Sequence, residues 1–127
     1  MDKTALVTAF WRDVAAQDAA ALRAYFAPNG AVFWHNTNEK FSVEEYIRAN
    51  CEYPGDWRGE VERVELAGET AVSVARVWPT GGGASFHAVS FFTFTGDQIV
   101  RLDEYWGDDG DAPGWRRELG IGTAIRE

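Results

Sequence analysis

Apolar positions along the chain follow a helical period in the first third and strand alternation in the second half. Leu6, Val7, Phe10, Trp11 and Val14 recur at helical spacing, and Asp2 stands where an N-cap belongs. The pattern predicts a helix over residues 3–17. Asp18 is placed as a second N-cap, and Leu22, Tyr25 and Phe26 mark a shorter helix closed by Pro28-Asn29-Gly30. Residues 31–36 are rich in β-formers and predict a first strand. Ser42-Val43-Glu44-Glu45 has capping-box spacing and opens a third helix through Tyr46, Ile47 and Cys51, ending at Pro54-Gly55.

Four further strands are predicted over residues 57–67, 70–78, 85–95 and 99–106, separated by Gly68-Glu69, by Pro79 with Gly81-Gly82-Gly83, and by Gly96-Asp97. Short connections favour antiparallel pairing. Helices first and strands afterwards make an α+β fold, read as a single domain over residues 1–127. The tail from Asp111 is expected to be irregular and to pack over an edge.

The last strand carries the most chemistry. With a side-chain period of two, one face presents Val100, Leu102, Glu104 and Trp106, and the other Ile99, Arg101, Asp103 and Tyr105. A carboxylate among apolar neighbours is costly unless it has a partner or a task. The pattern points to a pocket with a few polar groups inside. A histidine at the core rim, or a Glu104 paired with Arg76 or Arg48, would be the purely structural alternative.

Composition narrows the classes. Six Trp, eight Phe and four Tyr make a high aromatic share, and such rings either fill cores or line concave sites. A net charge of −8 argues against a nucleic-acid partner. Cys51 is the lone cysteine, which rules out an internal disulfide and a multi-cysteine zinc site. No membrane span and no signal-peptide core are visible, so a cytoplasmic protein is expected. His35, His87 and one carboxylate could in principle ligate a metal, but two histidines on unsettled faces argue against it, and Asp108-Asp109-Gly110-Asp111 lacks the spacing of a calcium loop.

The element order, with Gln17-Asp18 between the first helices, Tyr25-Phe26-Ala27-Pro28, helix three over Ser42 to Cys51 and the closing Glu104-Tyr105-Trp106, resembles SnoaL-like members of the nuclear-transport-factor-2-like superfamily. The resemblance implies a cone: a curved, mainly antiparallel five-stranded sheet around three helices. Ketosteroid isomerases of that superfamily use a carboxylate at the end of strand one, a tyrosine on helix one and a carboxylic acid on the penultimate strand. His35, Phe10 and Ser90 stand at those positions here, so all three roles differ. Trp106 is similar to an aromatic wall of those enzymes. The late-strand carboxylate of SnoaL-type cyclases corresponds to Asp103 or Glu104. Family members usually dimerise through the outer sheet face, where Val89 and Phe91 are candidates.

The expectation is a pocket for a small apolar or aromatic ligand, lined by Phe10, Phe33, Tyr46, Asn50, Ser90, Phe92 and Trp106. His35 is the expected base and Glu104 its orienter or the acid, both in one cavity, with no cofactor. A non-catalytic ligand-binding or dimerisation module on the same fold is the alternative. An open cavity with a His35–Glu104 contact favours catalysis, and a filled cone favours the alternative.

Overall fold

The structure is a computed structural model and describes residues 2–126. Helix α1 (Lys3–Ala16) is capped by Asp2, whose side chain accepts from the Ala5 N–H at 2.9 Å. It ends at Gln17, which takes a left-handed conformation and donates its side-chain amide to the carbonyls of Asn50 and Tyr53. Helix α2 (Ala19–Tyr25) is capped by Asp18. Helix α3 (Val43–Cys51) opens with a complete capping box between Ser42 and Glu45.

The strands are β1 (Phe26–Trp34), β2 (Glu39–Ser42), β3 (Trp57–Ala67), β4 (Thr70–Pro79), β5 (Phe86–Thr95) and β6 (Gln98–Asp108). They form one sheet in the order β2-β1-β6-β5-β4-β3. Four neighbouring pairs are antiparallel, and β1 runs parallel to β6. A short helix α4 (Gly114–Leu119) follows. Helix α1 lies against β3 and β4, while α2 and α3 pack on each other and α3 on β1. The core between helices and sheet includes Val7, Phe10, Trp11, Leu22, Tyr46, Phe92, Ile99 and Leu102. The result is an α+β cone.

The sixth strand is β2, which has no apolar alternation. It forms because a 3-10 turn at His35–Thr37 and a left-handed Asn38 fold the chain back along β1. Strand β1 begins at Phe26, earlier than the Pro28-Asn29-Gly30 signal suggests, because those three residues form an irregularity inside the strand. A Cβ on Gly30 would stand 3.1 Å from the carbonyl oxygens of Ala27 and Ile99, so β1 and β6 approach through this glycine.

Irregularities also decide which side chains face inward. A register shift between Thr93 and Phe94 leaves Val100 as the extra residue of β6. Ile99 is therefore buried with Leu102, and Val100 is not, which corrects the parity expected at the start of this strand. A second shift, between Val61 and Arg63, leaves Glu62 as the bulged residue of β3. The tail also differs from expectation: every residue from Gly107 to Arg126 is exposed, so it does not pack over an edge.

Candidate functional site

The sheet register sets four side chains in one row across the inner face. Ser73 on β4 pairs with Ser90 on β5, Ser90 with Glu104 on β6, and Glu104 with Trp34 on β1. Ser73, Ser90 and Glu104 are fully buried, Glu104 at 1% exposure. The Ser90 hydroxyl donates to Glu104 Oε2 at 2.6 Å, and the Trp34 indole N–H donates to Oε1 at 3.0 Å. At the far end of the row, the Trp11 indole N–H donates to Ser73 Oγ at 3.0 Å.

Aromatic rings surround the carboxyl. Tyr46 packs on Trp34 with centroids 6.2 Å apart, Trp34 on Trp106 at 6.4 Å, and Trp106 on Trp11 at 6.1 Å. Phe10 stacks on Tyr46 and meets Phe92 edge-on at 5.2 Å. Phe10, Trp11, Tyr46 and Phe92 fill the interior, while Trp34 and Trp106 are half-buried at its edge. Arg76 and Arg48 do not reach Glu104. Arg76 lies over the Trp78 ring on the outer face, and Arg48 pairs with Glu52.

Burial raises the Glu104 carboxyl to about 7, against the smaller opposing effects of Ser90, Trp34 and Trp106. The Trp106 N–H lies near enough to favour the carboxylate, yet it completes no hydrogen bond and is a buried donor without a partner. Burial, and then the neighbouring Glu104 charge, hold the Tyr46 hydroxyl well above its ordinary range. A carboxyl that titrates near neutrality in a buried aromatic shell can give or take a proton.

His35 is elsewhere. It sits in the 3-10 turn, and its Nε2 lies 2.8 Å from Asp103 Oδ1 on the outer face. Its ring stacks on Tyr105 at 4.5 Å and 7°. Asp103 also accepts two hydrogen bonds from Arg101, which hold its carboxyl below the usual range, with His35 adding to the effect. The two catalytic candidates therefore do not share a cavity. Asp103 and Glu104 are consecutive on a strand, and each takes the opposite face. Phe33 likewise turns outward, under the Arg101 guanidinium at 3.9 Å, because the register puts Trp34 inside. His35, Arg101, Asp103 and Tyr105 border a shallow concavity of about 420 Å³ on this face.

Asn50 does not stand at a pocket mouth. Its amide donates to the Val14 carbonyl at 3.1 Å and ties α3 to α1. Phe10, Tyr46, Ser90, Phe92 and Trp106 all face the interior. The residues missed from sequence are Trp34, Trp11, Ser73 and Asn36. Asn36 clasps the main chain of Trp106, accepting from its N–H at 2.6 Å and donating to its carbonyl. Once Glu104 is placed inward, the pairing partner of its strand gives Trp34, but that partner is not evident in a linear sequence. A second hollow, about 350 Å³, lies between α1 and β3 and reaches Trp11 and Trp57.

Among the described residues no cluster of His, Cys, Asp or Glu is arranged to hold a metal ion, and no helix is long and apolar enough to cross a membrane.

Comparison with known structures returns the same cone. A candidate ketosteroid isomerase from Kribbella flavida superposes with a TM-score of 0.79 at 22% identity, covering 97% of this chain and 90% of the other. An NTF-2 like protein of unknown function from Burkholderia xenovorans gives 0.76 at 20% identity, with 95% and 94% covered. A Catenulispora acidiphila protein with a ketosteroid isomerase-like fold, solved in complex with trimethylamine, gives 0.68 at 16% identity, with 79% and 83% covered. Comparison with curated proteins gives no match. Residues 7–102 match the model of the SnoaL-like domain, and the chain belongs to that family.

Proposed function

We propose that the chain binds a compact apolar or aromatic small molecule at the aromatic mouth of the cone, with Glu104 as its proton donor and acceptor. The supporting observation is the buried carboxyl near pKa 7 beside the unpartnered Trp106 N–H. A ligand oxygen seated between them would accept from both the indole N–H and the protonated carboxyl, whereas a tertiary ammonium would donate to the Glu104 carboxylate alone. Trp34 and Trp106 are the rings of this cluster that reach solvent, and the proposed ligand would approach between them. The trimethylamine bound to the Catenulispora protein is a ligand of similar size, and aromatic faces with a carboxylate suit a compact cation as well as a neutral molecule.

The test is an NMR titration with small ketones, phenols and tertiary amines, observing the indole N–H signals. One class should shift Trp34 and Trp106 in the wild type, and Glu104→Gln should weaken it at least tenfold while remaining folded. No indole shift with any class at millimolar concentration would sink the reading.

A second reading is self-association through the outer sheet face. Val89, Phe91 and Tyr105 stand there at 36–46% exposure, a contiguous apolar stripe that pairing would cover. The closed interior is consistent with it. Sedimentation showing only a 14.1 kDa species at micromolar concentration would remove it.

A further inference from the structure

We propose that residues 35–41 form a gate over Glu104, and that Asn36 is the positioning residue that holds the gate shut. The proposal rests on the binding reading above, in that it takes Glu104 as the group to be reached.

Glu104 needs a route to solvent. It is 1% exposed, and neither of the two hollows described above is lined by it. Trp34 donates to its carboxyl, and Trp34 and Trp106 are the half-buried rings of its shell. A ligand that touches the carboxyl must displace part of that shell, and these two rings are the part nearest solvent.

The cover over Trp34 is slight. Trp34 is the last residue of β1, and on its edge side β1 has only β2 for a neighbour. Strand β2 has four residues, three of them exposed, and pairs with nothing else. Its Phe41 meets the Trp34 ring edge-on at 4.8 Å. A short edge strand with one packed side chain belongs to the low-stability end of a fold.

Side chains fasten this segment to β6. The β1–β6 ladder stops at the pair Trp34 and Glu104, and two residues further on in that register Asn36 would face Trp106. It does so with its side chain. The Asn36 amide donates to the Trp106 carbonyl at 2.5 Å, and its oxygen accepts from the Trp106 N–H at 2.6 Å. One carboxamide thus supplies the donor and the acceptor that a strand peptide would have supplied. On the outer face His35 bonds Asp103 at 2.8 Å and stacks on Tyr105 at 4.5 Å. The turn itself closes weakly, with the Asn38 N–H 3.3 Å from the His35 carbonyl. Beyond Phe41, the Ser42–Glu45 box anchors α3, so the segment that can move ends there.

Asn36 therefore joins two functions. It shuts the turn, and it places Trp106, whose indole N–H lies beside Glu104. With that clasp released, the turn and β2 swing away from β6 and free both rings.

The experiment is solvent exchange of the indole N–H protons, followed by NMR in wild type, Asn36→Ala and Asn36→Asp, with circular dichroism to confirm folding. Trp11 is the internal reference, because its N–H is bonded to Ser73 at the opposite end of the buried row. In the wild type the Trp34 proton should exchange at least tenfold faster than that of Trp11, with the same opening constant as the main-chain amides of β2. Asn36→Ala should speed Trp34 and Trp106 by a further tenfold or more and leave Trp11 unchanged. Asn36→Asp keeps the acceptor and loses the donor, so its rates should fall between. Equal acceleration of all three indoles would show that Asn36 only stabilises the fold, and unchanged rates would show that it latches nothing. Either result overturns the proposal, as does a wild-type Trp34 that exchanges as slowly as Trp11. Should Asn36→Ala not fold, the wild-type rates and Asn36→Asp decide on the same terms. No ligand enters this experiment, so failure to bind ketones, phenols and amines sinks the binding reading separately from the gate.

Discussion

Asp103 and Glu104 are adjacent in the chain and lie in opposite environments. Asp103 bonds His35 and Arg101 on the outer face and is held in its charged form. Glu104 is sealed among Trp34, Ser90 and Trp106 on the inner face and is pushed toward its neutral form. A single peptide bond thus separates a surface ion pair from the group on which the proposed chemistry rests.

Glu104 makes stability depend on pH. Its ordinary value of 4.5 rises to about 7 in the folded protein. The folded state therefore holds a proton that the unfolded chain releases. That contribution is complete below pH 4.5 and is lost as pH rises through 7. The loss is on the order of 3 kcal/mol for a shift of this size. Urea unfolding from pH 5 to 8 should show it in the wild type and not in Glu104→Gln. Parallel profiles for the two proteins would show that the carboxyl does not titrate in this range.

Ser90→Ala removes the shorter of the two bonds that favour the carboxylate. The Glu104 titration, followed by carboxyl carbon NMR, should move upward. The cost at acid pH should be about 1–2 kcal/mol, as for other buried hydrogen bonds. A downward move would mean that Ser90 supports the neutral form instead.

His35 and Glu104 should behave independently. The His35 ring resonances in wild type and Glu104→Gln are expected to superimpose under one set of conditions, because the sheet lies between them. Divergent spectra would put the two groups back in one cavity.

Gly30→Ala should destabilise the fold by about 1–3 kcal/mol. The new methyl would meet two backbone oxygens at 3.1 Å, and backbone cannot swing aside as a long side chain can. Thermal unfolding measures this directly, and an unchanged midpoint would mean that β1 and β6 can separate without cost.

Much of the architecture could be read from the sequence because its signals are local. The Ser42–Glu45 box, the Asp2 and Asp18 caps and the glycine turns each act over three or four residues, and each formed where expected. The site was less legible because it depends on register. Whether Phe33 or Trp34 faces inward depends on β1 lying in register beside β6, past an irregularity between Phe26 and Ala31. Val100 was misplaced for the same reason, since a one-residue bulge reverses parity and has no local signature here. Strand β2 was missed because its pairing comes from the preceding turn, and Glu39-Lys40-Phe41-Ser42 has no alternation to reveal it. Asn36 was missed because its clasp on Trp106 spans 70 residues.

The parallel pairing of β1 with β6 has a consequence for how the molecule comes into being. Trp34 and Glu104 are 70 residues apart, and every strand between them is made before the pair can meet. The loop closed by this pairing is costly to form, so docking of β6 should come late in folding. On a ribosome, the hairpins of β3 to β5 would be exposed while the interior still lacks its carboxyl. A chain ending at Thr95 should therefore show no cooperative unfolding, and in pulse-labelled hydrogen exchange the amides of β1 should gain protection together with those of β6.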